Sequence, residues 1–219
     1  MEPSAKRFRE GELKPAELSL QSVVSVMELG KQLDLRLMEK QYKDLERKAS
    51  SSMEFKFGER FQGAILKKQA ATGQVTGVVF PSGRIVCTGA KTETAAKTDV
   101  TSMLSVIKQI VYPNKPQSAI PTSEAPKIQS YTATFETGYE IQLEHLALEH
   151  SQDVIYEPEI FPPLIYKIKQ PKVTAYVSPK GKVLLTAAFH DQLNEAQKTI
   201  TPILARFKRA RYGNASKRL

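Results

Sequence analysis

One pattern of residues occurs twice in this sequence, and the duplication limits the folds open to the chain more than any other feature. Residues 21–30 (QSVVSVMELG) align with residues 129–138 (QSYTATFETG), and residues 83–90 (GRIVCTGA) align with residues 181–188 (GKVLLTAA). The separations are 108 and 98 residues, so the copies keep one order of segments and differ in loop length. We therefore predict two copies of one folding unit.

Each copy is predicted to contain both strands and helices. A strand comes first, at 22–29 and 130–137, and a short helix follows the first of these, marked by apolar residues three and four apart: Leu35, Met38, Tyr42 and Leu45. Three further short strands are predicted in each copy, at 62–68, 75–80 and 84–88, and at 164–169, 173–177 and 183–188. A second helix closes each copy, marked by two apolar stripes: Val100, Leu104, Ile107 and Val111, then Leu193, Ala196, Ile200, Ile203 and Phe207. The chain is therefore predicted to be an α+β protein whose two halves share one continuous antiparallel sheet.

The ends of the chain and its middle lack this periodicity. Residues 1–19 are charged, which predicts a mobile N-terminal arm. Residues 113–127 include four prolines and no apolar period, which is typical of a linker between the first repeat (20–112) and the second (128–210). Residues 211–219 form a basic C-terminal tail.

The charge of the chain indicates the kind of partner. Lys and Arg outnumber Asp and Glu by 32 to 23, giving a net charge of +9, which favours nucleic acid or an acidic membrane surface. No segment approaches the roughly 20 apolar residues of a membrane span, and the N-terminus lacks a signal-peptide pattern. We expect a soluble intracellular protein with no membrane partner. The single cysteine, Cys87, cannot form a disulfide framework or a thiolate metal cluster.

Alternation along the strands predicts that the sheet has two apolar faces. Side chains in a strand point to opposite faces in turn, which separates Val79, Ile85 and Cys87 from Val78, Phe80, Val86 and Thr88. Each half has enough helix to cover one face, so the other face is predicted to be an interface. Its occupant is either DNA or a second copy of the chain.

Basic residues favour DNA over the second copy. They lie at strand ends or in adjoining turns in both halves and predict a rim around the apolar floor: Lys67, Lys68, Arg84, Lys91, Lys167, Lys169 and Lys182. Rim charges can meet phosphates while the floor packs against sugars and base edges in a widened minor groove.

The sequence resembles the TATA-box-binding protein family over about residues 20–210. The resemblance is carried by four segments in order: LGKQLDL (29–35), FPSGRIVCTGAK (80–91), YEPEIFPPLIY (156–166) and GKVLLT (181–186). It implies a curved, saddle-shaped sheet with helices on the convex face and promoter DNA beneath. It also implies a nuclear general transcription initiation factor that bends the minor groove and nucleates preinitiation complexes. The chain is expected to be a divergent member or a related factor.

The resemblance assigns wedge residues, which the family inserts between base steps. Each half of a family member contributes two phenylalanines, and Phe61, Phe80 and Phe161 match three of them. Counting back from Gly181 places Ser178 at the fourth position. One kink is therefore expected to be weaker unless Tyr176 compensates.

Serine replaces the family's usual asparagine in the first strand of both halves, at Ser22 and Ser130. One short hydroxyl should discriminate A·T from G·C pairs less well than an amide, so reduced TATA selectivity is expected. The groove floor implied by the resemblance comprises Ser22, Val24, Val78, Val86, Thr88, Ser130, Thr132, Tyr176, Ser178, Leu184 and Thr186. The implied phosphate contacts are Lys67, Arg84, Lys91, Lys167 and Lys182, while Phe189 stands where the first half has Lys91.

An acidic loop is the predicted docking site for a protein partner. Glu157, Glu159 and Ile160 match the family's site for transcription factor IIB, and carboxylates suit a basic partner. The corresponding first-half segment, residues 55–60, is where the resemblance implies a factor IIA-like partner, although this segment departs more from the family. Polymerase-specific assembly factors are further expected partners.

No constellation of residues predicts catalysis, a cofactor or a metal. His145, His150 and His190 lack metal-ligand spacing and are predicted to be surface residues. The sequence contains no phosphate-binding glycine loop and no nucleophile beside a base. The alternative to a DNA-binding factor is an adaptor on the same fold that binds proteins and has little intrinsic DNA binding.

Overall fold

A computed structural model describes residues 17–46, 53–57, 63–70, 73–113 and 125–209. Three predicted segments therefore lie wholly or mostly outside the described residues: the N-terminal arm, the linker and the C-terminal tail. Phe61 is outside them as well.

The two repeats contain the same elements in the same order. The first consists of β1 (Ser19–Glu28), α1 (Leu35–Glu46), β2 (Met53–Phe57), β3 (Ala64–Ala70), β4 (Gly73–Val79), β5 (Arg84–Ala90) and α2 (Glu93–Val111). The second consists of β6 (Lys127–Glu136), α3 (Leu143–Glu149), β7 (Val154–Glu157), β8 (Phe161–Ile168), β9 (Val173–Val177), β10 (Lys182–Ala187) and α4 (His190–Arg206). The described strands form one antiparallel sheet in the order β2-β3-β4-β5-β1-β6-β10-β9-β8-β7. The predicted α+β fold with two repeats and one sheet is confirmed.

The number of strands in each repeat was predicted wrongly. Four strands, and not the predicted three, follow the first helix of each repeat. The additional strands are β2 and β7, in segments predicted to be loops. These strands have 5 and 4 residues, too few for alternation to distinguish them from a charged loop. As a result Phe55 and Phe57, predicted to lie in a loop, belong to β2. The centroid of the Phe55 ring lies 5.0 Å from that of Tyr42 and 4.9 Å from that of Phe57.

The chain divides into two compact units, the first of which comprises Leu20–Ala133 and Thr186–Leu193. Helix α2 lies against β4 and β5 in this unit. It begins where the Thr92 hydroxyl accepts a hydrogen bond from the Ala95 amide at 3.2 Å. Its buried stripe includes Val100, Met103 and Ile107. The buried Ser25 hydroxyl donates to the Ala96 carbonyl at 2.8 Å, so this polar group inside the core is satisfied.

The other compact unit comprises Thr134–Leu185 and Asn194–Leu219, together with residues up to Ser19. Its strands bury one row of apolar side chains. One side of α4 is also buried, through Ala196, Ile200 and Leu204. The ring of His150 lies 5.6 Å from that of Tyr166 and 5.8 Å from that of Phe207. Both units therefore have the helix-covered sheet that leaves the opposite row of side chains open.

Candidate nucleic-acid interface

Burial alternates along the strands of the first repeat and separates a covered face from an open face. On β5, Ile85 and Cys87 are buried beneath α2, while Val86 and Thr88 between and beside them are half-exposed. On β1, Val23 and Ser25 are buried, and Ser22 and Val24 are half-exposed. Val78 follows the same rule on β4. The predicted separation of the two faces is confirmed for these residues.

The second repeat alternates in the same way. Val183 and Leu185 of β10 are buried, and Leu184 and Thr186 are half-exposed. Tyr176 and Ser178 are half-exposed beside the buried Val177. Ser130 and Thr132 on β6 complete the set. All eleven residues proposed as the groove floor are thus half-exposed, with apolar or hydroxyl side chains.

Backbone hydrogen bonds show that Phe80 and Ser178 occupy equivalent positions. The Phe80 amide donates to the Arg84 carbonyl and its carbonyl accepts from Gly83, both at 2.9 Å. Ser178 makes the matching pair with Lys182 and Gly181, again at 2.9 Å. The count that placed Ser178 at the fourth wedge position therefore agrees with the geometry of the two turns, and the ring at that position is absent from the second repeat.

Phe161 lies at the first position of β8, directly after the turn that follows β7. Its side chain is 42% exposed, which is unusual for a phenylalanine that could pack into a core. Its ring meets that of Tyr176 edge to face, with centroids 6.1 Å apart and planes at 85°. The second repeat therefore exposes two neighbouring aromatic rings.

The five proposed phosphate contacts are accessible. Arg84, Lys91, Lys167 and Lys182 are exposed and Lys67 is half-exposed. Arg84 donates a hydrogen bond to the side-chain oxygen of Gln129 at 3.2 Å, which holds its guanidinium near the floor.

Of the two other cations predicted for the rim, Lys68 was assigned wrongly, and Lys169 is engaged in an ion pair. Lys68 points to the covered face, where its ammonium lies 3.5 Å from the buried Asp99 carboxylate and donates to Ser102 at 2.9 Å. Alternation places it opposite Lys67. Lys169 pairs with Asp153 at 2.7 Å, and the hydrogen bond that its ammonium donates to that carboxylate raises the pKa of Lys169. Neither cation is as available to phosphate as the five above.

The two equivalent serines differ in their hydrogen bonds. Between Val23 and Ser25 the pairing of β1 with β5 shifts register, and three steps on β5 oppose two on β1. The Gly89 amide at this bulge donates to the Ser22 hydroxyl at 3.1 Å, and Ser22 also bonds the Thr88 hydroxyl at 3.0 Å. Gly89 has φ of 107°, and alanine stands at the aligned position 187. Within the described residues the Ser130 hydroxyl has no hydrogen-bond partner.

Ser22→Ala is expected to destabilise the protein by about 1 kcal/mol, because it leaves the half-buried Gly89 amide without its acceptor. Ser130→Ala, at the equivalent position, should change stability by less than about 0.5 kcal/mol. Urea unfolding followed by circular dichroism measures both. Equal losses for the two variants would contradict the different roles of the two hydroxyls.

The acidic residues proposed for protein docking are all exposed. Glu157 ends β7, and its carbonyl accepts from the Ile160 amide at 3.0 Å, which forms a tight turn through Glu159. Ile160 is 79% exposed. The Tyr156 hydroxyl donates to Glu144 of α3 at 3.2 Å. This turn presents two carboxylates beside one apolar side chain.

The histidines and the cysteine do not form a reactive site. His145 and His190 are exposed as predicted, but His150 is half-buried, with Nδ1 3.0 Å from the Tyr166 hydroxyl, so its assignment to the surface was wrong. Burial raises the pKa of Cys87 to about 11, which keeps the thiol protonated. Within the described ranges, no group of three His, Cys, Asp or Glu side chains could hold a metal ion. No helix in the described part of the chain is long and apolar enough to cross a membrane.

A polar contact beneath the open face was missed by sequence reasoning. Tyr131, next to Ser130, is buried on the covered side, and its hydroxyl donates to Glu93 of α2 at 2.6 Å. Burial, together with that carboxylate, raises the pKa of Tyr131 to about 12, so the hydroxyl remains a donor at neutral pH. A tyrosine at an inward position of an apolar strand was the available signal.

The described residues define a class of protein with a duplicated antiparallel sheet, one helix-covered face and one open face that carries exposed cations. Comparison with known proteins gives the family. The family model described as transcription factor TFIID, or TATA-binding protein, matches residues 17–110 and 125–207. The chain belongs to the TATA-binding protein family, whose members are non-enzymatic, DNA-binding general transcription factors.

Individual relatives agree with this assignment. The chain is 32% identical over 192 residues to TATA-box-binding protein 1 of Triticum aestivum, covering 87% of this chain and 75% of the wheat protein. It is 31% identical over 191 residues to the TATA-box-binding protein of Acetabularia peniculus, covering 87% and 91%. Among solved structures, the Methanococcus jannaschii TATA-binding protein superposes with a TM-score of 0.56 at 28% identity, covering 87% of this chain and 99% of the archaeal one.

Proposed function

We propose that this chain is a nuclear transcription initiation factor that binds the minor groove of promoter DNA with its open face. It bends the DNA by inserting phenylalanine rings between base steps and nucleates a preinitiation complex, and its selectivity for TATA sequences is reduced. The observation that carries the proposal is the half-exposed row of apolar and hydroxyl side chains, present in both repeats and accompanied by exposed cations.

Wedging is supported by the placement of the aromatic residues. A ring that kinks DNA must stand outside the core and beside the floor. Phe161 is exposed at the start of β8. Phe80 is half-exposed directly after β4, where the turn to β5 begins. We assign the same role to Phe61, the residue that aligns with Phe161.

Reduced selectivity is supported by the unequal serines. The minor groove offers acceptors at every base pair, and only the guanine amino group distinguishes G·C from A·T. The Ser22 hydroxyl is already engaged by Gly89 and Thr88, so Ser130 is the more available of the two for reading bases. One short hydroxyl near the centre of the DNA site should discriminate A·T from G·C pairs less well than two amides would.

The acidic turn supports a basic protein partner. Glu157 and Glu159 are exposed and form no ion pair within the described residues, and the exposed Ile160 lies beside them. We propose that a transcription factor IIB-like protein docks there, with charge complementarity fixing its orientation. Factor IIA-like and polymerase-specific assembly factors are further proposed partners.

A labelled duplex tests the function, since energy transfer between fluorophores at its two ends reports both binding and bending. The wild-type chain should bind and bend a TATA duplex and a base-scrambled duplex with affinities within about tenfold of each other, because a single serine hydroxyl should contribute less than the roughly 1–3 kcal/mol of discrimination that a good bidentate contact supplies. Phe161→Ala should reduce the bend on both duplexes. Phe189→Ala is the matched control, because Phe189 is 65% exposed in the turn before α4 and not in the floor.

Each result has a distinct meaning. Strong preference for TATA over the scrambled duplex would contradict reduced selectivity. An unchanged bend in Phe161→Ala would show that this ring does not wedge. Absence of binding to either duplex would support the adaptor, which uses the same fold for protein partners alone.

A further inference from the structure

The aromatic residue near the end of the ninth strand has moved relative to its counterpart in the first repeat. The turns after β4 and β9 make the same backbone hydrogen bonds, so Phe80 corresponds to Ser178 and Val78 corresponds to Tyr176. At these two positions, the first repeat therefore has a valine and then a phenylalanine, and the second has a tyrosine and then a serine. Both positions lie on the open face.

The displacement is small enough to keep the ring beside the other wedge. Two residues of strand span about 6.6 Å, so the second repeat carries its ring that much further from the turn. Tyr176 pairs across the strands with Ile165 of β8. Since Ser178 is small, nothing bulky at that position separates Phe161 from Tyr176, and their rings meet edge to face at 6.1 Å.

The hydroxyl of Tyr176 gives this ring a second capacity. Within the described residues it has no hydrogen-bond partner, although the residue is only half-exposed. A phenol at an open face can donate to the adenine N3 or thymine O2 acceptors of the minor groove. Phe80, the proposed wedge of the first repeat, offers no such donor.

We propose that Tyr176 replaces the missing fourth wedge, so that Phe161 and Tyr176 act as a joined aromatic pair that deforms DNA at the second repeat, with the tyrosine hydroxyl contacting a base-edge acceptor. The inference rests on the proposed function, because it needs DNA on the open face. It changes the expectation for the second repeat, which retains two rings and a full kink.

The labelled-duplex assay tests this role with four variants. Tyr176→Ala should weaken binding on the order of tenfold, the usual effect of losing one base-stacking ring, and should reduce the bend as much as Phe161→Ala does. Tyr176→Phe should keep the bend and lower the preference for A·T over G·C at the contacted step. The double variant Tyr176→Val with Ser178→Phe, which recreates the first repeat's arrangement, should restore the bend. Phe189→Ala, which removes an exposed ring outside the floor, should change neither quantity.

The outcomes separate the inference from the function on which it rests. If Phe161→Ala loses the bend and Tyr176→Ala does not, Tyr176 is no wedge and the proposed function stands. If neither variant alters binding or bending while the wild-type chain binds both duplexes, the aromatic pair is no wedge and the inference is overturned. If the wild-type chain binds neither duplex, the proposed function fails. If Tyr176→Ala loses the bend and the double variant does not restore it, the ring's role as a relocated wedge is overturned. Circular dichroism of each variant confirms that the chain is folded.

Discussion

Gly181→Ala is expected to destabilise the protein by about 3 kcal/mol. Gly181 has φ of 88°, where an alanine costs about 1–2 kcal/mol. A Cβ atom there would also lie 2.1 Å from the Tyr139 carbonyl oxygen and 2.3 Å from the Thr137 hydroxyl. Relieving such an overlap requires a backbone shift that costs a further 1–3 kcal/mol or so. Urea unfolding measures the sum.

Gly138→Ala is the matched control for this substitution. Gly138 has φ of 79°, yet its added Cβ would meet nothing within 4 Å. Gly138→Ala should therefore lower the free energy of unfolding only by the cost of an alanine at positive φ, about 1 kcal/mol. Gly83→Ala should behave like Gly181→Ala, because its Cβ would lie 2.1 Å from the Lys31 carbonyl oxygen. A Gly181→Ala variant no less stable than Gly138→Ala would contradict the close approach.

DNA affinity is expected to fall steeply with salt. If Lys67, Arg84, Lys91, Lys167 and Lys182 each neutralise one phosphate, the logarithm of the binding constant should fall with the logarithm of salt concentration with a slope of about −4.5. Between roughly 50 and 200 mM salt this is a loss of about 500-fold. Fluorescence titrations at four or five salt concentrations give the slope.

Single lysine variants provide the control for the salt dependence. Lys182→Gln should make the slope shallower by about 0.9, because Lys182 is exposed and forms no ion pair in the described part of the chain. Lys169→Gln should leave the slope unchanged, since Lys169 is paired with Asp153 at 2.7 Å. A wild-type slope shallower than about −2 would favour the protein-binding adaptor over a groove-binding factor.

Alternation and internal repetition were sufficient to predict most of the fold. Strands of seven or more residues, such as β1 and β5, show which side chains are covered, because each inward residue recurs at every second position. The repeats then predicted the second half from the first. The floor residues come from the family resemblance, and the alternating burial in the structure places each of them on the open face.

The details that sequence missed depend on contacts between distant residues. The bond from the Gly89 amide to Ser22 joins residues 67 positions apart, and no local pattern indicates a bulge whose amide needs a partner. Lys68 was predicted for the rim from its charge alone. Since consecutive residues of a strand point to opposite faces, Lys67 and Lys68 cannot both lie on the open face. His150 is half-buried through contacts with Tyr166 and Phe207, which lie far from it along the chain.

Main-chain atoms alone suffice to close the turns that hold Phe80 and Ser178. The amide and carbonyl of each residue make the closing bonds, at 2.9 Å in both turns, and the Ser178 hydroxyl adds only a long bond, accepted from the Lys180 amide at 3.4 Å. A mutation at either position can therefore change what is presented to DNA while the turn keeps its geometry. After a gene duplication, such a position is free to diverge under selection for a new binding preference, without first having to survive a loss of folding.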